Sequence, residues 1–160
     1  MLDFNSNKRT DVGICIRVCA TSPIGAKKNQ KLLPSEVVNL HWEIANNVGQ
    51  VVFSMNNSID ELKNGNITKA FLFGNSLGQT FLVETDVDSI ISSDTEFVPQ
   101  NISSAVQVPE WLNEPKKTWL FLSNFKQIDL KNCDLTLLNK DILLKEQILK
   151  PRFRTCYVKL

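Results

Sequence analysis

The segment from residue 67 to residue 91 constrains the fold more than any other part of the chain. It reads ITKAFLF, then the turn-like GNSLG, then QTFLVETDVDSII. The second run alternates, with Phe81, Val83 and Val87 on one face and Leu82 with three carboxylates on the other, as a surface strand does. A short connection that contains glycine, between two such runs, predicts an antiparallel hairpin.

Short strand-like runs account for much of the remaining chain. They occupy residues 12–20, 50–55, 117–130 and 153–160 and are rich in β-branched or aromatic side chains. Together with the hairpin they are too short and too mixed for a parallel α/β sheet. The expected fold is α+β: a curved, mostly antiparallel β-barrel with two or three peripheral helices.

Helix signals occur in three places. Pro34 opens the clearest helix, which ends before Gly49. A capping box that begins at Ser58 predicts a short second helix, and Asp141 can cap a third over residues 142–149. Residues 92–116 contain three prolines and are predicted to be an irregular, functional loop.

The sequence carries no signal for secretion or for a membrane span. No apolar run approaches the roughly 20 residues that span a bilayer, and the first residues lack the apolar stretch of a secretory signal. A cytoplasmic protein without a membrane segment is expected, and its free cysteines are interpreted as buried thiols; they are Cys15, Cys19, Cys133 and Cys156. The chain stops in a strand-like stretch without a tail, which predicts a domain excised from a longer protein.

Candidate catalytic groups are sparse. The single histidine, His41, lies on the predicted helix without a nearby cysteine or aspartate and is interpreted as a packed or exposed side chain. Glu84, Asp86 and Asp88 share one strand face and could hold a divalent cation. A nuclease strand usually has a lysine two residues after one of its acids, and none follows here. A solvated sheet face is therefore favoured over a metal site. The prediction is a non-enzyme with neither metal nor cofactor.

The net charge of +1 lacks the basic excess of a strong nucleic-acid binder. Any phosphate contacts must therefore come from local groups of lysine and arginine. The candidates are Lys27, Lys28 and Lys31 in the first loop, Lys116 and Lys117 before the long strand, and Arg152 and Arg154 near the end.

The tryptophans differ in their surroundings. Trp42 lies on the predicted helix and is assigned to the core. Trp119 begins a strand with Phe121 and Phe125 on the same face, so core packing is its default assignment as well. Trp111 lies in the proline-rich loop, outside any periodic pattern. It either covers the edge of the core or lines a pocket in which its indole stacks on a base or a methylated amine.

The order of these parts resembles the PUA-like superfamily, in particular its EVE and YTH branches. A strand ends in FSMNNS; a short helical excursion, the hairpin, a loop with a tryptophan and the strand KTWLFLSNFKQIDL follow. The resemblance covers about residues 50–160, as the barrel core of a single domain of 160 residues. Residues 1–49 form an N-terminal strand-and-helix extension.

The resemblance implies a reader of modified bases. It places Ser54, Asn56 and Asn57 in a polar patch that hydrogen-bonds the base edge, Trp111 in an aromatic cage, and Trp119 as a second wall or a core residue. The family's cage usually has another tryptophan soon after the first strand, and residues 58–68 contain none.

The implied partner is double-stranded DNA with a methylated base, which is flipped into the pocket. The implied context is a modification-dependent restriction or defence system with a GTPase or nuclease module. Two alternatives stay open: a B3-like domain that reads unmodified sequence, and a protein-interaction module without nucleic-acid binding. The modified base, the choice between DNA and RNA and the oligomeric state are left open by the sequence.

Overall fold

The computed structural model describes residues 10–21, 31–59 and 65–160. Within these residues six strands form one sheet and two α-helices pack against it. The sheet order is β2-β5-β4-β3-β1-β6, and all neighbouring strands are antiparallel except β1 and β3, which are parallel. The elements in chain order are β1 Asp11–Arg17, α1 Pro34–Val48, β2 Val51–Met55, β3 Asn66–Ser76, β4 Gln79–Phe97, β5 Lys116–Gln127, α2 Leu144–Gln147 and β6 Cys156–Lys159.

The predicted hairpin is confirmed as the pair β3–β4. Ser76 faces Gln79 in the register, so the turn consists of Leu77 and Gly78. Both turn residues have positive φ, 54° and 81°. A two-residue turn with this geometry matches the twist of the strands on either side, and glycine adopts it without steric cost.

The middle of β3 is buried on both faces of the sheet. Leu72 of β3 belongs to a core cluster that includes Val37 of α1. Phe71 and Phe73 point the other way, into a second cluster that includes Leu144 of α2. Alternation along β3 therefore supplies two cores, and α1 and the segment around α2 each cover one of them.

The α+β class and the mostly antiparallel sheet agree with the sequence, but the expected closed barrel is wrong. β2 and β6 are the two edges of the sheet in the described part of the chain. One side of β1 pairs with β3 and the other with β6, along Val12 to Cys15. The outer side of β6 is bridged at Val158 to Leu137 and not to β2, so the sheet stays open in the described part of the chain.

Two predicted elements change length. β4 continues to Phe97, into the stretch predicted to be irregular, because it pairs with β5 at Ser92–Thr118 and at Phe97–Lys116. The third predicted helix is reduced to the four residues of α2, and its N-cap is Leu143 rather than Asp141. Leu143 is also held in a bridge to Thr136. The helix expected after Ser58 falls largely at positions 60–64, outside the described residues.

The cysteines are free, but they do not share one environment. Cys15 and Cys133 are buried, Cys156 is half-buried and Cys19 is exposed. The prediction of a buried thiol is therefore wrong for Cys19, because β1 ends at Arg17 and the chain leaves the sheet before this residue. Neither helix in the described residues is long and apolar enough to cross a membrane.

Candidate functional site

A cavity of about 290 Å³ lies between edge strand β2 and the C-terminal end of β1. In the sheet these strands are separated by β5, β4 and β3, so strong curvature of the sheet brings them to one cavity. Residues of α1 and of the turn at 107–111 complete the wall. The lining residues are Ile16, Arg17, Val18, Cys19, Thr21, Val37, His41, Val52, Phe53, Ser54, Met55, Asn57, Gln107, Val108, Trp111, Lys116, Trp119, Arg154 and Thr155.

Trp111 lies in the cavity wall. It ends a short 3₁₀ turn, Pro109–Trp111, whose first residue is the proline that helical turns favour there. The indole is half-buried and stacks on the ring of His41, with 5.7 Å between ring centroids and 29° between planes. The turn and the stacked histidine fix the orientation of this flat apolar surface beside the cavity.

Trp119 is both a core residue and part of the cavity wall. Its side chain is 1% exposed. The indole Nε1–H donates to the main-chain oxygens of Phe97, at 3.0 Å, and Lys116, at 3.2 Å. The only polar atom of this side chain is therefore occupied, and Trp119 offers the cavity an apolar ring surface.

The predicted polar patch is divided by the structure. Ser54 and Asn57 line the cavity, and Ser54 faces Trp119 across the β2–β5 pair. The buried hydroxyl of Thr118 donates to the main-chain oxygen of Asn57. Asn56 is absent from the lining: its amide donates to Glu96 Oε1 at 2.8 Å on the exposed surface.

The edge position of β2 adds main-chain groups to this site. β2 pairs with β5 on one side, and in the described residues no strand pairs with its other side. An unpaired strand edge presents N–H and C=O groups that can bond a ligand. Because Val52 to Met55 line the cavity, the edge and the cavity form one site.

His41 is a cavity residue whose role the sequence did not predict. It is 5% exposed, and its ring contacts both Phe53, at 4.9 Å between centroids, and Trp111. Nδ1 lies 2.7 Å from the main-chain oxygen of Val37. Burial lowers the pKa of His41 to about 4 and outweighs the opposing effect of that hydrogen bond. The available signal was the helical spacing that places His41 on the same apolar face as Val37.

The candidate phosphate contacts are dispersed. Lys116 and Arg154 line the cavity. Lys116 Nζ lies 3.3 Å from Glu114 Oε1, and Arg154 is exposed, with Nη1 donating to the oxygen of Pro151 at 2.8 Å. The other candidates are not part of the lining: Lys31 and Arg152 are exposed and Lys117 is half-buried, while Lys27 and Lys28 lie outside the described residues.

Arg17 is a lining cation that the sequence did not single out. Its guanidinium donates to the oxygens of Phe153, Ile148 and Lys150 and lies over the ring of Phe73, 4.9 Å from the centroid. Burial and the neighbouring charge of Arg154 lower its pKa. These contacts tie the segment after α2 to the end of β1, which positions Arg154 at the cavity.

The acidic strand face is engaged in polar contacts away from the cavity. Lys69 Nζ lies 2.6 Å from Asp86 and 3.6 Å from Glu84. Asn124 donates to Asp86, and that bond together with Lys69 lowers the pKa of Asp86. Asp88 accepts hydrogen bonds from Gln50 and Ser123. In the described part of the chain, no three His, Cys, Asp or Glu side chains come together as a metal site.

Comparison with protein-family models, with curated proteins and with solved structures finds no match to this chain.

Proposed function

We propose that this domain binds nucleic acid and reads a modified base that is flipped out of a DNA duplex into the cavity. The observation that carries the proposal is the meeting of two tryptophans, three cations and a strand edge that no described strand pairs with, all at one cavity. Flat apolar walls suit a base, and cations beside them suit its phosphates. A volume of about 290 Å³ is at the small end of ligand pockets, which suits one small flat group.

Stacking on Trp111 supplies the main attraction for the base. Flipping a base costs a few kcal/mol, and stacking a base on an aromatic side chain returns about 1–3 kcal/mol. Trp111 is half-buried and backed by His41, so little side-chain freedom is lost when a base stacks on it. Hydrogen bonds from Ser54, Asn57 and the edge of β2 then distinguish one base edge from another.

Lys116 and Arg154 contact the phosphates that flank the flipped base. Both line the cavity, and Arg154 is exposed. The modest net charge of +1 means that the affinity depends on these local contacts and weakens as salt rises.

The PUA-like relationship is part of the same proposal. Members of that superfamily have a curved barrel. In this chain the curved sheet is open, and it brings β1 and β2 to one cavity. The proposal includes a cytoplasmic defence role, in which this domain recognises the modified DNA and a GTPase or nuclease module acts on it.

The proposal is tested by binding at low salt to three duplexes of one sequence, which contain N6-methyladenine, 5-methylcytosine or no modification. A modified-base reader binds one modified duplex more tightly than the plain one. Equal affinity for all three, together with a preference for a particular sequence, supports the B3-like alternative. No binding at low salt, where phosphate contacts are strongest, supports the protein-interaction module.

Lys116→Gln is expected to weaken binding to modified and plain duplexes by the same factor. A lysine on a phosphate contributes affinity without sequence information, and its loss reduces the slope of log K against log salt by about 1. Binding isotherms at several salt concentrations measure both quantities.

Lys126→Gln is the matched control for that experiment. Lys126 lies near the other end of β5, about 30 Å along the strand from Lys116. Its substitution by glutamine removes the same charge. An equal change of slope in both variants would show that Lys116 acts only through the overall charge.

A further inference from the structure

The buried polar atoms of the cavity are unequally engaged. Gln107 is buried, but its Oε1 accepts from the main-chain N–H of Asn113 at 2.8 Å and its Nε2 donates to Asn113 Oδ1 at 3.1 Å. The Nε1–H of Trp119 is engaged by two main-chain oxygens. Neither side chain has a buried donor or acceptor left for a ligand.

His41 differs from both. Nδ1 lies 2.7 Å from the main-chain oxygen of Val37, and a carbonyl oxygen can only accept a hydrogen bond. Nδ1 therefore carries the proton of the neutral ring, and Nε2 has a free lone pair. In the described part of the chain Nε2 has no hydrogen-bond partner. The residue is 5% exposed and lines the cavity, and Nε2 is not among the fully enclosed polar atoms, so it keeps some access.

The ring is also held in place. Phe53 contacts one part of it, at 4.9 Å between centroids, and Trp111 stacks on it. Together with the bond to Val37, these contacts favour the ring orientation in which Nδ1 faces the main chain. The cavity lining thus contains one unpaired acceptor on a tightly packed ring, beside the surface on which a base would stack.

We propose that His41 Nε2 is the specificity-determining acceptor of the cavity and that the ligand must donate an N–H to it. This inference rests on the proposed function and narrows its substrate class to bases with an N–H on the edge that enters the cavity. N6-methyladenine keeps one such N–H on its exocyclic nitrogen, and 5-methylcytosine keeps two. A ligand without one covers Nε2 and leaves it unpaired, which is unfavourable.

The test compares the preferred modified duplex with an analogue that lacks the exocyclic N–H donor. For N6-methyladenine the analogue is 6-methoxypurine, in which oxygen replaces N–H; for 5-methylcytosine it is 5-methyl-2-pyrimidinone. Wild-type protein is expected to bind the analogue about 5- to 100-fold more weakly. Both analogues pair less well in the duplex, which eases flipping, so a loss of affinity reports the missing N–H.

A variant provides the second arm. His41→Phe keeps an aromatic ring beside Trp111 and removes Nε2, so its affinities for the base and the analogue are expected to differ by less than about twofold, because no acceptor is left to discriminate. Because the chain has one histidine, ¹⁵N spectra of the wild-type ring can be assigned without mutation. The Nε2 signal is expected to move on binding while Nδ1 stays protonated.

The outcomes separate the two proposals. If wild-type protein prefers the modified duplex but binds the analogue equally well, the role of His41 is overturned and base reading stands. If it prefers no modified duplex, both proposals are overturned.

Discussion

Trp119→Ala is expected to lower the free energy of unfolding by about 3–5 kcal/mol, the usual cost of truncating a buried aromatic residue. The side chain is 1% exposed, so its removal leaves a large void. The main-chain oxygens of Phe97 and Lys116 also lose a donor. Urea denaturation of both proteins measures the difference from the midpoints and slopes.

Trp42→Ala provides the matched comparison. Trp42 is half-buried and contacts Phe125 at 5.8 Å between ring centroids, so its removal is expected to destabilise the protein less. A loss below about 1 kcal/mol in Trp119→Ala would contradict the placement of Trp119 in the core.

Acid is expected to destabilise the protein through His41, by about 2 kcal/mol between pH 7 and pH 5. The folded pKa is about 4, below the ordinary value of 6.5. Between those values the unfolded chain binds a proton that the folded chain does not, and each pKa unit corresponds to about 1.36 kcal/mol. The loss therefore begins as pH falls through 6.5 and levels off below 4. Denaturation curves recorded at each pH measure this loss of unfolding free energy.

His41→Phe identifies the source of this pH dependence. It removes the only histidine, so its unfolding free energy is expected to stay nearly constant from pH 7 to pH 5. Asp86 has a lowered pKa, and its contribution is lost only at lower pH, as it becomes protonated. An equal slope of unfolding free energy against pH in wild type and variant would contradict the assignment to His41.

Local patterns predicted the local elements. Alternation around GNSLG identified the β3–β4 hairpin, because a two-residue turn with positive φ needs residues such as Gly78. Pro34 and Gly49 marked the two ends of α1 for similar local reasons, and Gly49 has φ of 88°. The extension of β4 to Phe97 was missed because it depends on pairing with β5, which local composition does not encode.

Prediction of the cavity required information about contacts between distant parts of the chain. Trp111 was identified because it departs from periodicity, and Ser54 and Asn57 through the resemblance; all three line the cavity. His41 was interpreted as a packed or exposed side chain, because nothing in its own segment indicates that Trp111, 70 positions further along the chain, stacks on it. The closed barrel was predicted wrongly because the pairing of β6 with β1 cannot be read from either strand alone.

The central claim is that the cavity beside Trp111 reads a modified base, and the affinity ratio between modified and plain duplexes tests it most directly. Wild-type protein is expected to prefer one modified duplex, and Trp111→Ala to reduce that ratio to about 1, with loss of the roughly 1–3 kcal/mol of stacking. Trp42→Ala, which changes a tryptophan that is not part of the cavity lining, is expected to keep the ratio. A wild-type ratio of 1, or a preference that survives in Trp111→Ala, would contradict the account.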